Sequence, residues 1–232
     1  MSELVVRDYG IALEELCQRY RALYGGPIYD VLERMGLPNQ VLHHSIKPIR
    51  PDMVLAGAAV TVKAVMRPPV PNEVTYNPVD FVYPGAVIVY SSEEQVSAHF
   101  GELTGHACAA KGAVGVVVDG GLRDSTKQIQ IDRWRPWAAF CRYTSPIELA
   151  ARQRIVSVNQ PVFMSGSLTA VVEVRPGDFI FGDLDGVIVI PFEKALEVLE
   201  QAEDIVKREG QARDELKKGT PFSEVGRRFG VG

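Results

Sequence analysis

The sequence predicts an α/β fold, with strands gathered in the middle of the chain and helices at both ends. Three observations predict it. Residues 11–36 carry apolar side chains at helical spacing, and 192–218 carry acid–base pairs one helical turn apart. Between them lie short valine-rich runs bounded by glycines, which read as strands buried on both faces. Beyond residue 160 the strands are joined by turn residues, so hairpins dominate and a strict βαβ alternation is not visible.

The elements follow in order. Ile11, Leu13, Leu16, Tyr20 and Leu23 define a first helix, which Gly25-Gly26 stops. Pro27 opens a second through Tyr29, Val31, Leu32 and Met35, ended by Gly36 and Pro38. Residues 54–66 alternate, with Val60, Val62, Ala64 and Met66 on one side and Thr61 and Lys63 on the other, so this is a strand. Residues 67–78, rich in proline and asparagine, form a loop long enough to be functional. A strand over Ala86–Tyr90 follows the Tyr83-Pro84-Gly85 turn. A helix from Leu103 to Lys111 comes next, stopped by Gly112, and then the buried strand Ala113–Val118. Asp119-Gly120-Gly121 reads as a turn, and Ser125-Thr126-Lys127-Gln128 as the capping box of a short helix.

Further strands are expected near 136–143, 161–174, 178–182 and 187–190, the last two flanking the hairpin turn Gly182–Gly186. Residues 192–218 form a long charged helix whose pairs Glu203/Lys207, Asp204/Arg208 and Asp214/Lys218 place the acid first, the favourable order. Tyr83-Pro84-Gly85 and Arg175-Pro176-Gly177 echo one another, each a Pro-Gly turn feeding an apolar strand. No linker or low-complexity tract interrupts the chain. One domain is therefore expected over 1–232: helices over 1–45, a core over 50–191 and a helical extension over 192–232.

Composition bounds the function. The 232 residues are 46% apolar and 23% charged, enough for a real core and unlike a disordered, collagenous or disulfide-stapled chain. With 25 basic and 29 acidic residues there is no cationic excess to grip phosphates, which disfavours nucleic acid as a partner. Cys17, Cys108 and Cys141 are far apart and form no CxxC pair, so a zinc ribbon is disfavoured and a reducing cytoplasm fits. Met1–Tyr9 lacks the apolar run of a signal peptide, and no apolar run is long enough to span a membrane. The expected location is cytoplasmic.

No GxGxxG after a strand, P-loop, HExxH or GxSxG is present. His43-His44, His99 and His106 form no helical metal pair and read as ordinary polar or capping histidines. The richest chemistry lies in Gly101-Glu102-Leu103-Thr104 and Leu122-Arg123-Asp124. Gly101 permits close approach just before a helix, whose first free N–H groups, at Leu103 and Thr104, can hold an anion. Arg123 and Asp124 follow a buried strand, where open α/β sheets place ligands. Arg123 offers a planar fork for a carboxylate, and Asp124 an oxygen ligand for a hard cation such as Mg²⁺ or Mn²⁺. The blander reading makes Asp124 and Ser125 caps, Arg123 a surface charge and Glu102 a first-turn acid favoured by the helix dipole. Lys63 on an apolar strand is a Schiff-base candidate, against an ordinary solvent-facing lysine. Cys108 and Cys141 read as core residues, and Asp183 and Asp185 as hairpin residues.

Taken together, Leu55–Val62, Gly101-Glu102-Leu103, Gly115–Asp124 and Pro176-Gly177-Asp178 through Asp185–Pro191 resemble one family. It comprises the 4-hydroxy-4-methyl-2-oxoglutarate aldolases and the regulator of ribonuclease activity A, members of which were once labelled dimethylmenaquinone methyltransferases. The resemblance spans about 27–210. It implies a β/β/α swivelling-domain-like core with N-terminal helices and a long C-terminal helix, assembled as a homotrimer or homohexamer with the active site between subunits. It implies a divalent-metal (Mg²⁺ or Mn²⁺) lyase that cleaves a 4-hydroxy-2-oxo acid to pyruvate, with oxaloacetate decarboxylation through the same enolate. By motif match Asp124 is the metal-side carboxylate, Arg123 holds substrate oxygens, and the backbone of Gly101, Leu103 and Thr104 receives the pyruvate-derived carboxylate; Glu102, beside them, is a catalytic candidate from its position. An acid from a neighbour's C-terminal helix completes such sites; Glu197, Glu200, Glu203 and Glu209 are candidates. The family also contains non-catalytic, protein-binding regulators, which are shorter and lack the long C-terminal helix. Two segments depart from the family pattern: Phe140–Pro146 lacks an arginine-glycine pattern, and 67–78 lacks a Pro-Gly-Asp-Asn stretch. Both bear on substrate more than on fold.

Overall fold

The computed structural model describes residues 3–68, 70, 73, 76–93, 95–148 and 152–230. The chain runs through α1 (Leu13–Tyr20), α2 (Gly25–Arg34), β1 (Lys47–Pro48), β2 (Leu55–Met66), a 3₁₀ turn (Pro78–Phe81), β3 (Ala86–Ser91), β4 (Ala98–Phe100), α3 (Glu102–Ala110), β5 (Gly115–Leu122) and α4 (Ser125–Ile131). It continues through β6 (Ala138–Thr144), β7 (Gln153–Val158), β8 (Val162–Ser165), β9 (Val171–Val174), β10 (Phe179–Asp183), β11 (Gly186–Ile190), a second 3₁₀ turn (Phe192–Lys194), α5 (Ala195–Lys217) and α6 (Phe222–Phe229).

The main sheet has the order β1-β6-β5-β3-β2-β10-β11, with β4 added beside β5 and β7 beside β2. Strands β2, β3, β5 and β6 are mutually parallel, and β10 joins β2 antiparallel. Residues 40–48 bring the two ends of this sheet together. Leu42 N–H donates to Val187 O at 2.9 Å on β11, and five residues later Lys47 pairs with Cys141 on β6. The Lys47 ammonium also donates to the carbonyls of Leu184 and Asp185 at 3.1 and 2.8 Å. The result is a nearly closed, barrel-like sheet.

Alternation along the strands divides the core in two. Leu55, Ala59, Val87, Val89, Val117 and Phe140 pack inside the barrel with Val162, Met164, Val172 and Val174 of the β8–β9 hairpin. Ala56, Ala58, Val60, Val62, Val116 and Val118 face outward, against Leu16 and Tyr20 of α1, Ile28 and Leu32 of α2, and Val198 and Leu199 of α5. Both faces of β2 and β5 are therefore buried, which is why their sequences are continuously apolar. Each fully buried aliphatic side chain contributes about 1.5–3 kcal/mol of hydrophobic stabilisation.

Several sequence expectations are corrected. Asp119-Gly120-Gly121 is the second half of β5, since β4 and the end of β6 pair with it there. Gly25-Gly26 opens α2 instead of only ending the first helix, because Asp183 Oδ2 accepts from Gly25 N–H at 2.7 Å. The stretch 161–174 is a hairpin, β8–β9, and β1, β4, β7 and α6 come in addition. No capping box forms: the residue that caps α4 is Asp124, and no side chain bonds its first N–H groups. On α5, Glu203 reaches Arg19 of α1 instead of Lys207, Asp214 pairs with Lys217, and Lys218 with Glu215. The Pro-Gly echo holds: Ala86 N–H donates to Tyr83 O and Asp178 N–H to Arg175 O, both at 3.0 Å, with Gly85 at φ +84° and Gly177 at +86°. These are turns with proline second and a left-handed glycine third. Of the proline-rich loop, residues 69, 71, 72, 74 and 75 lie outside the described residues. No helix among the described residues is long and apolar enough to cross a membrane.

Candidate active site

Two chain reversals meet at the C-terminal end of β5. Its first half, Gly115–Asp119, pairs with β3, and its second half pairs with the short β4 at Gly121 and Leu122. Gly121 allows this: a Cβ there would stand 2.4 Å from Ser97 O and 2.5 Å from the Tyr143 ring. The exchange of partners carries β4 into α3 beside the end of β5, where Arg123 N–H donates to Phe100 O at 3.0 Å. The N-terminus of α3 and the residues entering α4 thus line one cleft of about 620 Å³, with Gly101, Glu102, Leu103, Thr104, Arg123 and Asp124 in its wall. All six residues that the sequence singles out meet here. Lys127, Glu148 and His99 line it too, with Ala98 and Phe100 of β4.

The cleft is polar and charged. Arg123 Nε donates to Asp124 Oδ2 at 3.2 Å, and Arg123 Nη1 lies 3.6 Å from Glu148 Oε1. The side chains of Arg123 and Asp124 are 35% and 40% exposed, so this pair adds at most about 1 kcal/mol to stability. Asp124 is held at φ +58°, ψ +36°, a left-handed conformation that costs a non-glycine residue about 1 kcal/mol or more. Its side chain makes no capping bond in return. Asp124 thus holds the N-cap position through its backbone carbonyl alone, and its carboxylate lines the cleft. Gly101 is the counterpart: a Cβ there would lie 3.3 Å from both Arg123 Nε and Asp124 Oδ2.

At the start of α3, the N–H groups of Glu102, Leu103 and Thr104 have no acceptor within the helix, whose first internal bond is Gly105 N–H to Gly101 O at 3.1 Å. Leu103 is 77% exposed at the rim. Glu102 Oε2 lies 3.0 Å from His106 Nδ1, which stands equally far from Glu102 O, so the proton on Nδ1 is shared between two oxygens. Behind the cleft, buried His99 faces Gln153 Oε1 at 3.1 Å through Nδ1 and Ser92 Oγ at 3.1 Å through Nε2. Tyr90 OH donates to the same Gln153 oxygen. This network anchors β4.

Other candidates lie elsewhere. Lys63 is a third exposed and 3.4 Å from Glu93, outside the cleft wall, as an ordinary lysine would be. Cys17, Cys108 and Cys141 are buried free thiols, and burial pushes them up to about 11, 12 and 12, which makes them inert core residues. Asp183 caps α2 and turns the β10–β11 hairpin. On α5, Glu203 makes two bonds to Arg19, Glu209 accepts from Tyr24 OH, and Glu197 faces Lys194, while Glu200 is exposed. Sequence reasoning missed Glu148, Lys127 and His99. The pairing of β4, which also bridges Ala98 to Glu148, brings in His99 and Glu148, and a three-residue strand leaves no periodicity to read; Lys127 enters with the first turn of α4.

Among the described residues no group of three His, Cys, Asp or Glu side chains could hold a metal alone. The donor set nonetheless fits a hard cation, which is bound through one or two carboxylates and completed by water and substrate oxygens. Asp124 supplies one such carboxylate, and its bond from Arg123 occupies Oδ2 alone.

Comparison with known proteins identifies the family and the fold. The RraA-like family model, described as Aldolase/RraA, matches residues 26–189. A putative 4-hydroxy-4-methyl-2-oxoglutarate aldolase of Halalkalibacterium halodurans is 31% identical over 201 residues, covering 86% of this chain and 85% of that one. Protein DlpA of Legionella pneumophila is 27% identical over 205 residues; the alignment covers 85% of this chain, which spans only 31% of DlpA. Among solved structures, one described as novel cellulases from gut-associated microbes superposes with a TM-score of 0.80 at 28% identity, over 90% of this chain and 91% of its own. RraAS2 of Streptomyces coelicolor, described as an unusual member of the RNase ES inhibitor RraA family, superposes with a TM-score of 0.71 at 23% identity, over 87% and 98%.

Proposed function

The chain belongs to the RraA-like Aldolase/RraA family, and from that premise we propose that it is a divalent-metal-dependent lyase cleaving a 4-hydroxy-2-oxo acid to pyruvate. One observation carries the proposal: Asp124, held left-handed and free of any capping bond, turns its carboxylate with Arg123 toward the open N-terminus of α3 in a single cleft. The N–H groups of Leu103 and Thr104, helped by the helix dipole, receive the substrate carboxylate. Asp124 holds the cation, which when bound supplies Lewis-acid polarisation of the 2-oxo group. Arg123 donates to the enolate oxygen that gains charge as the C3–C4 bond breaks. Glu102 takes the 4-hydroxyl proton, with His106 beside it to balance the carboxylate. The C4 fragment leaves as a carbonyl compound, and protonation of the enolate carbon gives pyruvate. Loss of CO₂ from oxaloacetate passes through the same enolate and is expected as a side reaction.

The other reading within the family is a protein-binding regulator of ribonuclease. The RNA-processing inhibitor RraA of Thermus covers 94% of its own length but 72% of this chain, so it has no counterpart for part of this molecule. A glycosidase role would need a positioned carboxylate pair across a sugar; Arg123 instead lies between Asp124 and Glu148. Pyruvate release from 4-hydroxy-4-methyl-2-oxoglutarate, coupled to lactate dehydrogenase, tests the proposal. Release should stop in EDTA and return with Mg²⁺ or Mn²⁺. Full turnover in chelator would reject the metal reading. No release under any condition would favour the regulator.

A further inference from the structure

We propose that a second binding site lies at the opposite end of the parallel strands, where Arg21 and Arg135 hold the carboxylate of a small organic acid with an apolar body. The proposal does not rest on the lyase reading, and the site shares no residue with the candidate active site.

Pro84-Gly85, Gly112–Val114 and Pro136 lead into β3, β5 and β6, at the ends of these strands away from Arg123 and Asp124. Helix α1 comes down onto them. A Cβ at Gly85 would stand 2.9 Å from Leu13 Cδ2, and one at Gly112 would stand 2.9 Å from Pro84 Cα. A groove of about 430 Å³ remains between the helix and these turns. Leu13, Cys17, Pro84, Ala113 and Val114 give it apolar walls. Leu13, Cys17 and Arg21 follow one another every fourth residue, so one face of the helix runs from apolar to basic along the groove. A mostly apolar concavity with a few polar groups at one end is the usual form of a small-molecule site.

The basic end is what selects an acid. Arg21 is half-buried and Arg135 is exposed. Among the described residues neither guanidinium donates a hydrogen bond or meets a carboxylate, whereas Arg19, Arg50, Arg142 and Arg175 are all paired. Arg21, Val114 and Pro136 also line an adjoining hollow of about 150 Å³, which brings the segment carrying Arg135 to the same end of the groove as Arg21. The two acids of that hollow, Asp52 and Asp132, are both held by Arg50, so they do not neutralise Arg21. Burial raises the Cys17 thiol and the nearby Arg21 charge opposes that rise, which places the guanidinium close to the apolar wall. Glu14 lines the groove as well, but two helical turns before Arg21, about 10 Å along the axis. Two guanidiniums against one carboxylate leave one net positive charge, which a monoanion balances. The planar forks of the arginines suit a carboxylate head, and the walls cover an aryl or alkyl body.

Calorimetric titration of the full chain tests this with three probes: 4-phenylbutyrate, acetate, which is the head without the body, and 4-phenylbutanol, which is the body without the charge. The unsubstituted protein should bind 4-phenylbutyrate, and at least about tenfold more tightly than either of the others. Arg21→Gln with Arg135→Gln should weaken 4-phenylbutyrate by about tenfold or more, the scale of hydrogen bonds to a charged group. Neither arginine is tied to the rest of the chain, so this double variant should melt within about 2 °C of the parent. Arg135→Gln alone, at an exposed position, should weaken the same probe several-fold. Arg123→Gln, in the candidate active site, should bind it as the parent does. No binding of 4-phenylbutyrate by the unsubstituted protein, or equal binding of 4-phenylbutanol, would overturn the proposal. So would parental affinity in the folded double variant. Loss of binding in Arg123→Gln would overturn it too, by placing the acid in the candidate active site.

Discussion

Asp124 occupies a backbone conformation that most residue types other than glycine avoid, and asparagine shares its tolerance for it. That makes Asp124→Asn an unusually clean substitution here. Asparagine keeps the φ of +58° and the volume but loses the charge that a hard cation needs. The melting temperature should stay within about 2 °C, because the exposed Arg123–Asp124 pair is worth under about 1 kcal/mol. Metal affinity and pyruvate release should fall together. Arg123→Lys keeps charge but loses the fork, and turnover should drop by roughly ten- to a thousand-fold, the range for removing one oxyanion donor. Near-parental kinetics in both folded proteins would dismiss the site. At this scale the sequence was informative where backbone chemistry is local. A glycine before a helix and an Arg-Asp pair after a buried strand are visible as such. Glu148 was not, because what brings it to Arg123 is a single bridge to Ala98, fifty residues away in the chain.

Among the elements, the Pro-Gly turn before β10 shows how a motif read for one purpose serves another. Arg175, the first residue of that turn, donates to Glu193 at 3.1 and 2.8 Å and to Asp178 at 3.1 Å, while Asp178 also accepts from the Phe192 N–H at 3.2 Å. The cluster latches the start of the C-terminal helical region to the barrel. Its two acids respond in opposite directions. The Arg175 guanidinium holds Glu193 below the usual carboxylate range, whereas burial outweighs the same arginine at Asp178 and raises it. A depressed acid stabilises the fold above its unfolded value and loses that contribution as pH falls through the folded one. Glu193→Gln should therefore melt about 1–3 °C below the parent at pH 7, with the gap closing below about pH 4, as a calorimetric series from pH 7 to 3 would show. A constant gap across that range would mean that the charge of Glu193 does nothing. Helices and buried strands were legible where periodicity, valine content or flanking turn residues mark them. β1, β4 and α6 were not. A strand of two or three residues exists only through its neighbours, and a short helix after a Gly-Thr-Pro break carries its signal in tertiary packing.

At the scale of the whole molecule, the unresolved part of the proposed chemistry is the source of a further acid. Members of this family are oligomers. The outward face of the β8–β9 hairpin exposes Phe163 and Val171, with Leu168 in its turn, at 57%, 53% and 62%, the kind of apolar surface that marks an interface. Within one chain, Glu203 and Glu209 are committed to Arg19 and Tyr24, and Glu197 to Lys194. Glu200 is exposed on the same helix, with no hydrogen bond among the described residues and only the charge of Arg19 near it, so if the cleft is shared between subunits as the family resemblance implies, Glu200 is the first of the four acids to test. Subunit mixing tests this directly. Asp124→Asn lacks a working cleft, and Glu200→Gln lacks the donated acid, so each homo-oligomer should be nearly inactive. In a mixed ring, a subunit with intact Asp124 meets an intact Glu200 from its neighbour wherever the two kinds adjoin in the right order. With random assembly from equal amounts this holds for about a quarter of sites, and for about a third in trimers purified as mixed species, so about a quarter to a third of parental turnover should return. If each site were built within one chain, no arrangement of these subunits would contain a complete one. Co-expression with two affinity tags, purification through both, and assay of the mixed species beside the two parents would decide it. No recovery in a mixed, assembled species would rule out the shared site, and full activity of Glu200→Gln alone would move the assignment to Glu197.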